Sequence, residues 1–383
     1  MKTEWVHKKL GDCCERICNG LTYDVEETQG YFVTRIETIS DGYIDYNKIG
    51  HINDKPNQDY LMVNGDILFS HINSVKHIGK VAYYDDSTEL YHGMNLLLLR
   101  ANNNIDKLFL FYLLSSDKYR RKIRALAKSA VNQASISTTD LGKFEISYPA
   151  SLTVQRRIAA ILASADKVIA ATQKTIAKYK QIKQGMMEDL LKPKEGWKMV
   201  KLGDCCETEL GKTLDEGRNT GQYRPYLCAL NVLWGKIDIT TIKQMRIEDS
   251  ELERYLVKKG DLLVCEGGEI GRCAIWNSDD EIYYQNALHR VRFYNEFEPM
   301  FFMYLLCYYN DLRIIEKYGK GLTIKHLNQT SFRNIPVSVP VLTEQRRIAN
   351  ILLGIDKKIE AEQAILDKYT LVKKGLMERL LNE

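Results

Sequence analysis

Most sequence signatures of catalysis and membrane insertion are missing from this chain of 383 residues. It has no GxxxxGKS/T phosphate loop, no GxGxxG turn, no Asn-Pro-Pro or Asp-Pro-Pro tetrapeptide of the amino-methyltransferase type and no HExxH helix. No apolar run approaches the roughly 20 residues that a membrane helix needs. These absences favour a binding protein over an enzyme.

Metal and disulfide chemistry is also weakly supported, although the chain has nine cysteines. The number is odd, no CxxC set accompanies them, and the N-terminus lacks the apolar core of a signal peptide. We therefore expect reduced thiols in a cytoplasmic protein. The adjacent pairs Cys13-Cys14 and Cys205-Cys206 are interpreted as buried structural residues rather than metal ligands, because neighbouring side chains diverge.

The net charge of +4 is unevenly distributed along the chain. Residues 151–191 carry a net charge of +4, residues 341–383 carry +1, and the remainder carries −1. Any surface that binds nucleic acid must therefore be a local patch rather than a uniformly basic domain.

A long internal repeat organises the sequence. Residues 151–191 and 341–381 align without a gap and share 22 of 41 residues, beginning with LTVQRRIAAIL against LTEQRRIANIL. LGDCCE occurs at Leu10 and again at Leu202, and GDILFS at Gly65 resembles GDLLVC at Gly260. One module of about 190 residues is therefore written twice.

The repeated 41-residue segments are predicted to be long helices. They contain no proline, and Pro149 and Pro340 stand just before them. Apolar positions alternate at spacings of four and three from residue 158 to 190 and from 348 to 380, which is typical of a coiled coil. We expect two helices of about 60 Å each, packed antiparallel in a pseudo-two-fold frame.

The larger parts of the modules, residues 1–150 and 196–340, are predicted to be α/β (α+β) domains. YLMVNGDILFS and KKGDLLVCEGG are typical of strands that follow Gly-Asp turns. LFLFYLLSSDKYRRKIRAL and MFFMYLLCYYNDLRIIEKY have helical periodicity. The strand order does not follow from the sequence.

These motifs resemble those of the specificity subunit of type I restriction–modification systems. The resemblance rests on two variable domains, each followed by a helix that begins L-T-x-Q-R-R-I-A and ends K-x-G-x-M-x-x-L-L, and it covers essentially the whole chain. The Gly-Asp strand, the Ile-Gly-Lys/Arg-x-Ala segment and the proline before each helix also match.

The resemblance implies target recognition domains at 1–150 and 196–340, with conserved spacer helices at 151–195 and 341–383. Each domain would read one half of a bipartite, asymmetric DNA target, while the coiled coil sets the spacing and docks two methyltransferase subunits. Restriction subunits could join that complex. The chain itself would be non-catalytic, without metal or cofactor, because S-adenosylmethionine and ATP belong to the partners of this prokaryotic, cytoplasmic complex.

Polar residues in loops are the candidates for DNA contact, since Arg, Lys, Asn and Gln read base edges and phosphates. In the first domain they are Asn73, Lys76, His77 and Lys80 in SHINSVKHIGK, with Lys128, Asn132 and Gln133 in KSAVNQAS. In the second they are Glu266, Arg272, Lys320, Thr323 and Lys325. The alternative, ordinary solvated loop residues, is equally compatible with the sequence.

Two further basic groups have different interpretations. Arg156, Arg157, Arg346 and Arg347 open both long helices, so we interpret them as structural or partner-docking rather than base-reading. KYRRKIR, residues 118–124, could follow phosphates, but a charged outer helix face is the preferred interpretation, because the second copy has only Arg313 and Lys317 there.

Three other functions stay open at this point. A coiled-coil scaffold would have no sequence-specific effect on DNA. A specificity subunit of a fused restriction–methylation enzyme would differ in its partner. A nuclease or methyltransferase with an unrecognised site would be active as a purified chain.

The long helices generate a first testable prediction. Inserting four residues into each helix lengthens it by about 6 Å and should widen the unread DNA spacer by one or two base pairs. Mapping the methylated motif of the variant measures the spacer. An unchanged spacer would contradict a measuring role for the helices.

Overall fold

In the computed structural model the chain forms two compact units. Unit 1 comprises Met1–Gln173 and Ala364–Glu383, and unit 2 comprises Lys174–Gln363. The structure describes residues 4–39, 42–85, 88–130, 133–215, 217–321 and 325–382. Each unit contains segments of both repeated helices, so this division differs from the sequence-based domain boundaries, which stay a prediction.

The first half of the chain contains both helices and strands and ends in a helix of 40 residues. Its helices are α1 (Lys107–Ser115), α2 (Asp117–Ala125), α3 (Thr138–Gly142) and α4 (Leu152–Leu191). Its strands are β1 (Trp5–Lys9), β2 (Cys14–Asn19), β3 (Tyr31–Val33), β4 (Gly50–Ile52), β5 (Ile67–Phe69), β6 (Ile72–Asn73), β7 (Val81–Tyr83), β8 (Leu97–Ala101), β9 (Lys128–Ala130), β10 (Gln133–Ser135) and β11 (Glu145–Pro149).

The second half repeats this order with local differences. Its strands are β12 (Lys198–Lys201), β13 (Cys206–Leu210), β14 (Gln222–Leu227), β15 (Val232–Leu233), β16 (Lys236–Ile237), β17 (Lys243–Ile247), β18 (Leu262–Cys265), β19 (Cys273–Ile275), β20 (Tyr283–Tyr284), β21 (Leu288–Phe293) and β22 (Pro336–Val339). Its helices are α5 (Leu252–Tyr255), α6 (Pro299–Asp311), α7 (Gln329–Arg333) and α8 (Leu342–Leu380).

A four-stranded antiparallel sheet forms the centre of each domain. The strand order is β2-β8-β5-β7 in unit 1 and β13-β21-β18-β19 in unit 2. In both units the first strand of the module also pairs antiparallel with the last strand before the long helix, as β1 with β11 and as β12 with β22. The α/β prediction and the two-copy prediction are therefore confirmed, and the structure adds the strand order.

The repeated Gly-Asp turn leads into the central strand and supplies a buried carboxylate. Asp66 is fully buried, and Arg100 on β8 donates to both of its oxygens at 2.8 Å. Asp261 forms the same paired contact with Arg292 on β21, at 2.8 and 3.0 Å. Such two-point contacts fix the arginine-bearing strand beside the turn as well as balancing a buried charge.

A buried glutamine joins each long helix to its domain. Gln155 donates to the carbonyl of Pro149 at 2.8 Å and accepts from the backbone N–H of Asp106, the residue that caps α1, at 2.7 Å. In unit 2, Gln345 makes the same pair of contacts, with Pro340 at 2.8 Å and Glu298 at 2.9 Å. These contacts explain why both copies of the motif have a glutamine at this position and a proline just before the long helix.

The coiled-coil positions inferred from the sequence are buried in the first part of each long helix and half-buried further along, except for Tyr369 on α8, which is exposed. On α4, Ile158, Leu162, Ala165 and Ile176 are buried. In unit 1 the start of α4 and the end of α8, including Leu381, belong to one apolar cluster, which is the antiparallel relation expected from the sequence.

Each unit also contains a Tyr–Asp–Lys network between its domain and the long helices. In unit 1, Asp166 accepts from the hydroxyl of Tyr112 at 2.8 Å and from Lys373 at 2.5 Å. Burial, followed by the contact with Asp166, raises the pKa of Tyr112, so this phenol stays a proton donor. The lysine also lies 5.6 Å from the tyrosine ring centre, where a cation–π attraction adds to the ion pair.

Unit 2 repeats the network with the helices exchanged. Asp356 on α8 accepts from Tyr304 and from Lys183 on α4, both at 2.6 Å. The lysine position of each repeated helix therefore completes the network begun by the aspartate of the other helix.

One helical segment differs from the sequence-based expectation. LFLFYLLSSDKYRRKIRAL forms two helices rather than one, because Ser116 is extended (ψ 147°) between α1 and α2. In the second copy α6 ends at Asp311, Arg313 adopts a positive φ of 55°, and only a 3-10 turn, Ile315–Lys317, follows. The basic helix α2 therefore has no helical counterpart of similar length in unit 2.

The glutamine contact provides a stability prediction. Gln155→Leu leaves a buried N–H and a buried C=O without partners, so the free energy of unfolding of unit 1 should fall by about 3 kcal/mol. Hydrogen exchange of the α1 amides in increasing urea measures this loss. The control is Gln173→Leu, an exposed glutamine further along α4, for which we expect a change within about 0.5 kcal/mol. Equal effects of the two variants would show that the glutamine contact is not stabilising.

Candidate nucleic-acid interface

Two polar segments of unit 1 that are distant in sequence form one small sheet. Strand β10 pairs with both β6 and β9, so Ala134 lies opposite Asn73 and Ser135 lies opposite Lys128. The N–H of Ile136 also donates to the carbonyl of His71 at 2.9 Å. SHINSVKHIGK and KSAVNQAS, each selected from sequence, therefore lie side by side. We call residues 70–80 and 128–136 the unit 1 patch.

The candidate residues occupy different positions within this patch. Lys76 and Lys128 are exposed, whereas Asn73, His77 and Lys80 are half-buried. The amide nitrogen of Asn73 donates to the hydroxyl of Ser70 at 3.4 Å, and its oxygen accepts from the N–H of Ser74.

The second segment of the patch adds the remaining candidates. Lys128 lies 3.3 Å from Asp140, and Gln133 begins β10. Asn132 lies outside the described residues.

Unit 2 places its candidates on the same backbone arrangement. The N–H of Leu327 donates to the carbonyl of Glu266 at 2.7 Å, and bridges join His326 to Gly267 and to Lys320. We call residues 265–272 and 320–327 the unit 2 patch. It is the counterpart of the unit 1 patch, because in both units the first segment follows the central strand and pairs with a later hairpin.

The candidate side chains of the unit 2 patch are more strongly engaged. Arg272 donates to the carbonyl of Ala229 at 2.8 Å and lies 3.1 Å from Glu269, whose other oxygen accepts from Trp234 at 2.7 Å. Lys325 donates to the carbonyl of Glu316 at 3.3 Å.

The other candidates of this patch are less constrained. Lys320 is exposed and Glu266 is half-buried. Thr323 lies outside the described residues.

The burial of two histidines, His71 and His289, indicates a structural role for their side chains. Burial lowers the pKa of His71 to about 4 and also lowers the pKa of His289. Both imidazoles are therefore neutral near pH 7. Within the described residues, no group of three or more His, Cys, Asp or Glu side chains is arranged to hold a metal ion.

The repeated Ile-Gly dipeptide explains how the first segment of each patch is positioned. Gly79 and Gly271 both have positive φ, at 77° and 81°. A Cβ on Gly79 would lie 3.0 Å from Ile123 on α2, and a Cβ on Gly271 would lie 2.8 Å from Ile315. Only glycine combines this backbone conformation with so close an approach. The contact also identifies Ile123 and Ile315 as equivalent positions.

A residue that sequence reasoning did not select holds the unit 1 loop. Arg124 on α2 donates to the backbone carbonyls of Lys76 at 3.1 Å and Ile78 at 3.4 Å. The contact could not be predicted from the sequence, because Arg124 belongs to the KYRRKIR cluster, whose pattern favours a solvated helix face.

The arginines at the start of the long helices are exposed, and three of them pair within their own units. Arg156 lies 3.7 Å from Asp106, and Arg346 lies 3.5 Å from Glu298, so both pair with the residue before a domain helix. Arg347 pairs with Glu344 at 2.7 Å. Among the residues that the structure describes, Arg157 has no carboxylate within 4.0 Å.

In the described ranges, none of the helices combines the length and the apolar character that spanning a bilayer requires.

The loop contact of Arg124 provides a testable prediction. Arg124→Met removes two hydrogen bonds from a charged donor, so amide exchange over residues 77–80 should accelerate by roughly tenfold or more. Hydrogen–deuterium exchange with peptide-level mass spectrometry measures it. Arg121→Met on the same helix is the matched control, because Arg121 donates to Asp117 rather than to the loop. Equal exchange in the two variants would mean that the loop is held by its own backbone hydrogen bonds.

Comparison with known proteins gives this arrangement a family. The family model described as "Type I restriction modification DNA specificity domain" matches residues 2–182 and again 194–370. A protein of Methanocaldococcus jannaschii named as the MjaX type I restriction enzyme specificity subunit is 33% identical over 99% of this chain and 93% of its own length. The MjaVIII specificity subunit of the same organism is 26% identical over 74% of this chain and 71% of its own.

Solved structures agree with the fold. The crystal structure of the type I restriction–modification S subunit from M. genitalium superposes with a TM-score of 0.67 at 17% identity, covering 100% of this chain and 97% of that chain. A chain from work on the assembly and conformational transition of the type I system gives 0.59 at 16% identity, covering 100% and 99%. With two family domains in tandem and a relative matched over nearly its full length, the chain belongs to the type I restriction–modification DNA specificity family.

Proposed function

We propose that this chain is the non-catalytic specificity subunit of a type I restriction–modification complex and that each domain reads one half of a bipartite, asymmetric DNA target. One observation carries the proposal: the two units present the same loop-and-hairpin frame with different side chains. The frame is defined by the matching backbone contacts of His71 with Ile136 and of Glu266 with Leu327.

The chemistry of the two patches differs in the way that two unlike half-sites require. The unit 1 patch contributes Asn73, Lys76 and Lys128, which are donors suited to base acceptors and phosphates. The unit 2 patch contributes Glu266 and Lys320, and a carboxylate accepts from the exocyclic amine of cytosine. Equivalent frames with unlike side chains support an asymmetric target.

The long helices suit the second part of the role, which is spacing and docking. In each unit a buried glutamine fixes a long helix to its domain. The length of the helices would then set the number of base pairs between the two half-sites that neither domain reads. Ile182 on α4 and Val372 on α8 are equivalent positions, and both are exposed apolar residues. Two equivalent apolar positions support docking of two methyltransferase subunits, which would carry the S-adenosylmethionine chemistry.

The proposal is tested by mapping methylated adenines in the native genome with the gene intact and deleted. Loss of one gapped, two-part motif on deletion is the expected result, because no other subunit would define that sequence. If every motif persisted in a strain shown to express the protein, the targeting role would be wrong and a coiled-coil scaffold would explain the fold better. A restriction domain fused to the co-purifying methyltransferase would identify the fused-enzyme variant.

Matched substitutions then assign the half-sites within the same experiment. Lys76→Gln should weaken selectivity at a position of one half-site by roughly tenfold or more and leave the other half-site unchanged. Lys325→Gln in unit 2 is the reciprocal variant. Changes of both half-sites by either substitution would contradict independent reading.

A further inference from the structure

A groove of about 1060 Å³ lies in unit 1 between α2 and the last turns of α8. Seven cationic side chains and two carboxylates, Asp117 and Glu378, line it. Helix α2 contributes Lys118, Arg120, Arg121 and Arg124. The loop of the unit 1 patch contributes Lys80, and α8 contributes Lys373 and Lys374.

Most of this positive charge is not neutralised locally. In the described parts of the chain, Lys118, Arg120, Arg121, Arg124 and Lys374 have no carboxylate within 4.0 Å, whereas Lys373 is paired with Asp166. Arg120 and Arg124 are four residues apart on α2, a spacing at which like charges repel each other. Burial and then the repulsion of Arg124 lower the pKa of Arg120, whereas Asp117 raises it. Such crowding costs free energy that a bound polyanion would recover.

The equivalent groove of unit 2 lacks this excess. It encloses about 880 Å³ and is lined by four lysines, Lys180, Lys183, Lys236 and Lys357, and by three carboxylates, Asp311, Asp356 and Glu360. Lys183 is itself paired with Asp356 at 2.6 Å. Where unit 1 has the basic helix α2, unit 2 has a short turn around Ile315, with Glu316 at the position equivalent to Arg124.

The geometry suits a line of phosphates rather than one small anion. The α2 cations extend from residue 118 to residue 124, about 9 Å along the helix axis at a rise of about 1.5 Å per residue. They therefore extend along the groove instead of converging on one point. The groove is also continuous with the unit 1 patch, because Lys80 lines the groove and Arg124 holds the patch loop.

We infer that the unit 1 groove binds the phosphate backbone of duplex DNA beside the first half-site, and that unit 2 has no equivalent clamp. This inference rests on the proposed function for its ligand. The two units then contribute unequally to DNA binding. Sequence-independent affinity for DNA comes mainly from the unit 1 groove, whereas both patches read the base sequence. Arg120 and Arg121 are then phosphate-positioning residues, not base readers.

The test compares two triple variants of the full chain assembled with its methyltransferase subunits. The groove variant is Lys118→Gln, Arg121→Gln and Lys374→Gln, which spares the Arg124 loop contact and the Lys373 network. The control variant is Lys180→Gln, Lys236→Gln and Lys357→Gln, which removes the same charge from the unit 2 groove. Binding to duplex DNA carrying the gapped target, and to a duplex with both half-sites scrambled, is measured between about 50 and 200 mM salt.

In the groove variant the slope of log K against log salt should become shallower by about 2 to 3, because each phosphate contact contributes about 0.9. Binding to both duplexes should weaken by the same factor, so the ratio between target and scrambled DNA stays constant. The control variant should keep the wild-type slope. The double variant Arg121→Gln and Lys374→Gln, at two exposed positions, should give about two thirds of the effect and does not depend on the half-buried Lys118.

An unchanged slope in the groove variant, or an equal change in the control, would overturn the inference. Loss of methyltransferase co-purification with a wild-type salt slope would also overturn it and would identify the groove as a site for an acidic segment of that partner. Failure of the proposed function has a different signature, since the wild-type complex would then show no preference for the gapped target.

Discussion

The buried glutamine at the start of each long helix is the contact on which the arrangement within each unit depends. Gln155 and Gln345 each satisfy one donor and one acceptor that the domain leaves open, at the cap of α1 or α6 and at the end of the last strand. A side chain with both an amide and a carbonyl is needed, because neither glutamate nor leucine can supply both contacts. The helix therefore leaves its domain in one orientation.

Two kinds of charged contact, each present once in each unit, extend this constraint into the sheet and along the helices. The Asp66–Arg100 and Asp261–Arg292 pairs fix the central strands below the patches. The Asp166–Lys373 and Asp356–Lys183 pairs connect the two repeated helices within each unit. Because each helix contributes both an aspartate and a lysine position to these networks, neither can change alone. That requirement accounts for the Asp and Lys positions that the two helical segments share.

The two patches differ in their side chains more than in their backbone. The backbone frame of the patches is retained, together with the glycines whose missing Cβ lets the loop approach Ile123 or Ile315. The side chains on that frame differ, and so does the neighbouring groove, which is strongly basic in unit 1 and nearly balanced in unit 2. Under the proposed function, these unlike surfaces on equivalent backbone frames read the unlike half-sites of one DNA target.

The repeat, the long helices, the strands after the Gly-Asp turns and the family could all be predicted from the sequence, because each is a local or periodic pattern. The two segments of each patch could be selected from the sequence as well. The pairing of these segments, the contact of Arg124 with the loop, and the groove between α2, Lys80 and the end of α8 became visible only in the folded chain. Those contacts join residues far apart in the chain, and their net charge depends on which side chains face one another. The KYRRKIR segment forms part of helix α2, whereas the equivalent part of unit 2 forms only the short turn Ile315–Lys317, because α6 already ends at Asp311.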